Sequence, residues 1–110
     1  MTVEVLKNRL ALEVLSLPEP DAIIDGAYAG DLLSWVMGRA SEGNVWATIM
    51  TNMNVVAVST LVGMSAVIIC ENSEIGEDVI KAARERSVNL LRSDKPMYEM
   101  CVLLAQVINE

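Results

Sequence analysis

Val45 to Cys70 reads VWATIMTNMNVVAVSTLVGMSAVIIC, and the fold turns on how this run divides. Its two ends, VWATIMT (Val45–Thr51) and AVIIC (Ala66–Cys70), are apolar at odd and even positions alike. A strand with one wet face alternates; a strand sandwiched between helices has no reason to. Both ends therefore read as central strands. The valine-rich middle, Asn54 to Val62, is ambiguous by period alone. Parallel neighbours need a crossover of about a dozen residues or more, and 52–65 supplies one. Asn54–Val62 is accordingly expected to be a helix, with Gly63 as its C-terminal cap.

Working outward from this unit, 77–86 is an amphipathic helix with Val79, Ile80 and Ala83 inward. Glu77–Lys81 and Lys81–Glu85 are spaced for ion pairs on its outer face. VNLL (Val88–Leu91) is a further strand. Asp94 is expected to cap the last helix, with Pro96 in its first turn. Met97, Met100, Cys101, Leu104, Val107 and Ile108 form the stripe of that helix. Upstream, 2–9 reads as a short helix on Val3, Leu6 and Leu10, and LEVLS (Leu12–Ser16) as a strand. LPEPDA breaks the chain at Pro18 and Pro20, and a second strand is expected over 22–28. Asp31 is expected to cap a helix over 32–40, with Leu32, Leu33, Val36, Met37 and Ala40 buried. Strand and helix alternate, which predicts one α/β domain over residues 1–110 with a mainly parallel sheet.

The apolar share, 53%, is above the usual for a soluble domain, so the excess needs somewhere to go. Either the sheet is covered on both faces or some surface is buried against another chain. Charges interrupt every apolar run before it could span a bilayer, and Glu4, Lys7 and Arg9 rule out a secretory signal near Met1. A soluble, cytoplasmic protein is expected. The net charge of −7 argues against nucleic acid and anionic membranes as partners. With no histidine, the commonest general acid–base group and the commonest transition-metal ligand are both missing. Cys70 and Cys101 fall inside apolar elements and read as small hydrophobes, not as a disulfide or metal pair.

IIDGAYAGDLLSWVM (Ile23–Met37) has the look of a glycine loop feeding a helix, as a phosphate cradle would. It lacks the lysine and Ser/Thr of a Walker A loop. Gly26 and Gly30 do not make the spacing of a dinucleotide fingerprint either. Asp31 would also place a carboxylate where an anion should sit.

The segments DGAYAGDLLSWVM, EGNVWATIMTNMNVVAV and SDKPMYE, in that order, resemble the DRTGG domain. That family is related to the N-terminal domain of bacterial HPr kinase/phosphorylase. The resemblance runs over nearly the whole chain, although the Asp-Arg-Thr-Gly-Gly string itself is replaced by Ile24-Asp25-Gly26-Ala27-Tyr28. It implies a three-layer α/β domain, a mainly parallel central sheet flanked by helices, without the P-loop domain that carries kinase chemistry. It further implies a regulatory or oligomerisation module in place of an enzyme; from the residues themselves, no cofactor and no metal are expected.

Two sets of residues are candidates for function. In a parallel sheet ligands sit outside the carboxyl ends of the strands. Thr51, Asn52 and Asn54, then Asn72, then Ser93 and Asp94, are expected to converge there around a small polar ligand such as a nucleoside or sugar. The competing account makes Asn52, Ser73 and Asp94 simple helix caps. Trp35 lies off the buried stripe beside Arg39, and a tryptophan on a polar face is typical of an interface. With Arg39 it is expected either in a homodimer or partner contact, or under a neighbouring loop or the first helix. The acidic Glu71, Glu74, Glu77 and Asp78 read as solvated surface and helix-dipole complements. A non-catalytic module that docks to itself or to a protein is the leading expectation. A small-molecule sensor is the alternative.

Overall fold

The computed structural model describes residues 1–110. Its elements are α1 (Val3–Arg9), β1 (Glu13–Ser16), β2 (Ala27–Ala29), α2 (Leu33–Arg39), β3 (Val45–Thr48), α3 (Asn54–Val62), β4 (Ala66–Ile69), α4 (Glu77–Glu85), β5 (Leu90–Arg92) and α5 (Met97–Ile108). The five strands lie in the order β1-β5-β4-β3-β2. β2 to β5 are parallel in consecutive register, and β1 joins β5 antiparallel.

The doubly apolar strands behave as their composition demands. Every residue of β3 and β4 is buried. Val45, Ala47, Ala66, Ile68 and Leu91 pack on one face with Val3 and Leu6 of α1 and Met100, Leu104 and Val107 of α5. Trp46, Val67, Ile69 and Leu90 pack on the other with Val36 of α2, Val55 and Val56 of α3, and Val79, Ile80 and Ala83 of α4. This is a three-layer α/β domain. The valine-rich middle is the crossover helix α3, ended by Gly63 in the left-handed conformation (φ 83°), which accepts no side-chain penalty there. Both Gly63 and Met64 donate to the Ser59 carbonyl, closing the last turn.

Because β2, β3, β4 and β5 follow each other without a reversal of order, α2, α3 and α4 all lie on one face. A reversal is what opens the usual ligand crevice in an open α/β sheet. The parallel run has none.

Three local expectations are corrected. The second strand is only Ala27–Ala29, because Ala22–Ile24 pair with the chain start instead of joining the sheet. Val3 donates to the Ala22 carbonyl, Ile24 donates to that of Met1, and Thr2 bridges Ile23. In α2, Val36 is buried but Leu32 and Met37 are exposed, since the helix touches the sheet along a narrower line than its composition suggests. Neither Asp31 nor Asp94 caps a helix: the cap positions are Leu32 and Pro96, without side-chain hydrogen bonds. Cys101 is only half-buried, whereas Cys70 is fully enclosed. On the outer face of α4, Lys81 meets Glu85 at 3.9 Å.

Candidate functional site

The opening stretch is bolted to the central strand. The indole Nε1 of Trp46 donates to the Gly30 carbonyl at 2.9 Å. One oxygen of Asp31 accepts the Thr48 hydroxyl at 2.7 Å and the Ile49 backbone N–H at 3.0 Å. The carboxylate therefore seals the carboxyl end of β3 to the β2–α2 turn, and leaves no anion cradle. The sequence supplies the aspartate; only the parallel pairing of β2 with β3 reveals its partners.

The strand-end residues divide into two groups. Asn72, Ser93 and Asp94 come together with Leu10, Ala11, Glu13 and Lys95 around an open polar cleft of about 390 Å³. It lies where the carboxyl ends of β4 and β5 meet the start of β1. Thr51, Asn52 and Asn54 lie apart from it, over the start of α3. There the Asn52 side-chain oxygen accepts the Asn54 N–H at 2.9 Å, which opens that helix.

The polar cleft has an unusual backbone. Ala11 (φ 51°), Glu71 (φ 61°) and Asn72 (φ 52°) are all left-handed. Asparagine tolerates this region, but alanine and glutamate give up of order 1 kcal/mol each to be there. The Asn72 N–H donates to the Ser93 carbonyl and that of Glu71 to the Lys95 carbonyl, so the two loops hold each other in place. The Ser93 hydroxyl, nearly buried, accepts the Lys95 N–H at 3.1 Å. Glu13 is matched by a two-pronged Arg92 contact at 2.9 and 3.0 Å. Lys95 reaches Glu99 at 3.8 Å, and Asp94 is left exposed with no ion pair. With Lys95 turned to Glu99 and Arg92 already spent on Glu13, the unpaired charge at the cleft is the Asp94 carboxylate, which suits a hydroxyl-, amide- or amine-bearing ligand better than a polyphosphate.

A second cleft, about 330 Å³ and mainly apolar, opens between β2 and α5. Ala27 and Ala29 form its floor, and Cys101, Leu104, Ala105 and Ile108 its wall. Nothing in the residue pattern marks this cleft, because it exists only where small side chains of one element face a distant helix. Cys70, deeper in the same layer, has its thiol pushed up to about 11 by burial first and then by neighbouring Cys101. It is a packing group and no thiolate nucleophile.

On α2, Trp35 is 51% exposed, and its open ring face is met by the Arg39 guanidinium at 3.6 Å from the centroid. The first helix lies across the sheet and cannot cover it. Leu32, one turn before it, is exposed as well, as is Met37 on the other flank of the helix.

These features belong to a three-layer α/β domain with a mainly parallel, five-stranded sheet. No family model and no curated protein matches the chain. Among solved structures it is similar to the CBS and DRTGG domains of the regulatory region of Clostridium perfringens pyrophosphatase, complexed with the activator diadenosine tetraphosphate. The TM-score is 0.74 at 13% identity, over 96% of this chain and 46% of that chain, so this chain spans about half of its neighbour. At that identity the likeness is one of fold. It agrees with the DRTGG resemblance of the sequence; the relation to HPr kinase/phosphorylase is a separate matter on which the neighbour is silent. No helix is long and apolar enough to cross a membrane.

Proposed function

We propose that this chain is a non-catalytic, DRTGG-like regulatory module that works by docking, with a second copy of itself seated on α2. The observation that carries the reading is the exposed pair of Leu32 and Trp35, one helical turn apart, with Arg39 over the indole. Such a patch of large apolar side chains on a small domain is characteristic of a binding surface. Arg39 has no ion-pair partner within the chain and is thus free for a carboxylate of a second, equally acidic copy. The regulatory setting of the structural neighbour, and the lack of any histidine in the sequence, favour regulation over turnover. Light scattering across a concentration series tests this. The wild type is expected to shift from monomer to dimer mass, and Trp35→Ala to stay monomeric. A wild type that is monomeric throughout, or a Trp35→Ala chain that still dimerises, overturns it.

A second reading, a small-molecule sensor, is favoured by the strained polar cleft of Asn72, Ser93 and Asp94. Its neighbour in fold is complexed with a dinucleotide, yet the carboxylates here suit the nucleoside part and oppose the phosphates. Nucleosides and neutral sugars at millimolar concentration are expected to raise the melting temperature, and Asp94→Asn to reduce the effect. No rise with any of them removes this reading and leaves the docking module untouched.

A further inference from the structure

We propose that the free edge of β2 and the apolar cleft beside it take up an extended segment of another polypeptide, with apolar residues at alternate positions and basic residues flanking them. β2 ends the sheet. Val45 donates to the Gly26 carbonyl and Gly30 donates to that of Ala47, so the alternate residues Gly26, Tyr28 and Gly30 face β3. The N–H and C=O groups of Ala27 and Ala29 consequently point away from the sheet. Both residues are exposed, and no group in the chain bonds to those outward atoms. An added strand can satisfy all of them.

Apart from its shortness, three residues, this edge lacks the devices that normally forbid such pairing. β2 carries no proline, lysine or bulge, and its two outward residues are alanines, the side chains least able to obstruct a partner. The register adds a specificity element. Ala27 and Ala29 pair with Val45 and Ala47, so their side chains lie on the α5 face of the sheet. Partner residues opposite them share that face, and their side chains enter the 330 Å³ cleft under Cys101, Leu104, Ala105 and Ile108. Along α5, Tyr98 and Val102 continue the apolar surface next to Cys101 and Ala105 and are exposed.

Charge decides the occupant. Asp25 and Asp31 bracket β2, and both are exposed. A second copy can engage Ala27 and Ala29 fully only when Ala27 faces the partner's Ala29. That register sets Asp25 against the second copy's Asp31 twice over, in a protein already carrying −7. Like charges directly opposite are destabilising in a strand pair. A segment with lysine or arginine three residues to either side of its centre meets Asp25 and the oxygen of Asp31 that Thr48 and Ile49 do not hold. This surface is distinct from the α2 patch, and either can fail alone.

The test is an amide NMR titration of the full chain with the peptide Lys-Thr-Leu-Thr-Val-Thr-Lys. Shifts and slowed hydrogen exchange are expected at Ala27 and Ala29. Three changes are each expected to weaken binding about tenfold: glutamates in place of the peptide's lysines, N-methylation of its leucine and valine, and Ala105→Phe, which fills the cleft from an exposed position. Native chemical-shift dispersion of Ala105→Phe verifies its fold; if that variant is unfolded, Asp25→Lys replaces it with the same expectation. No response of Ala27 and Ala29 at about 1 mM peptide overturns the proposal. Equal binding of the glutamate peptide overturns it too, as does concentration-dependent protection of these amides without peptide, which would put a second copy there.

Discussion

The two edges of the sheet are finished in opposite ways. At β1 the register shifts between Val14 and Ser16, Arg84 donates to the Leu15 carbonyl at 3.2 Å, and Arg92 clamps Glu13. Behind it, the Asn89 amide donates to the carbonyls of Glu19 at 2.7 Å and Ser65 at 2.9 Å and accepts the Glu19 N–H at 3.0 Å. Charge, irregularity and a crossing loop leave little for another strand to pair with. At β2 there are two outward alanines and an apolar cleft. The contrast teaches that the apolar surplus of this chain is unevenly distributed: one margin is closed to association, and the other, with α2 next to it, is open.

The comparison breaks most severely at Trp46, the buried residue that holds β2 and its following turn to β3. Trp46→Ala is expected to cost about 3–5 kcal/mol in chemical denaturation, the usual range for truncating a buried aromatic. Where the variant still folds, exchange at the β2 amides should quicken before that at β4. On the guarded side, Asn89→Ala strips the partners from three backbone groups, one of them the buried Ser65 carbonyl, and leaves a buried gap; it is expected to cost roughly 2–3 kcal/mol. Its exchange signature should appear near Glu19 and leave β2 unchanged; the reverse pattern would mean that the edges are not independently secured.

Asp31→Ala removes two hydrogen bonds at the open edge, one to a hydroxyl and one to a backbone N–H. A loss of roughly 1–2 kcal/mol is expected, because the acceptor is charged but exposed. A larger loss than at Asn89 would refute this ranking of the two margins. The smallest effect belongs to Arg9 and Glu110, an exposed pair joining α1 to the second residue after α5. Its hydrogen bond and charge hold the Glu110 carboxyl below its ordinary value of 4.5. A depressed carboxylate stabilises the fold above its unfolded-state value, and that contribution disappears as pH falls through the folded one. Arg9→Gln should return Glu110 to the ordinary range in a carbon-13 titration and barely move the melting temperature at neutral pH.

How much of this was legible beforehand can be judged residue by residue. VWATIMT and AVIIC declared themselves as central strands, and the crossover between them then had to be a helix. Trp35 read as standing off the buried stripe, and it is half-exposed. Asp31 and Asp94 were misread because an aspartate before a helix has the same local signature whether it caps the helix or bonds elsewhere. Ala22–Ile24 looked like sheet since its composition fits any extended pairing, including the one it makes with the chain start. The proposed strand-end site splits for a similar reason: residue types place each loop at the right end of its strand, but the unreversed strand order keeps the Thr51–Asn54 loop out of the cleft that gathers Asn72, Ser93 and Asp94.

The sequence alone determined the layers of this protein, since strands apolar on both faces and helices apolar on one admit hardly any other arrangement. Acidity and the lack of histidine are likewise written in the chain. What only the tertiary structure decided is which surfaces stay free: the unpaired groups of Ala27 and Ala29, the cleft under α5 and the partners of Asp31. These depend on which elements become neighbours, and neighbourhood across the sheet is fixed by long-range packing that no local stretch of residues records.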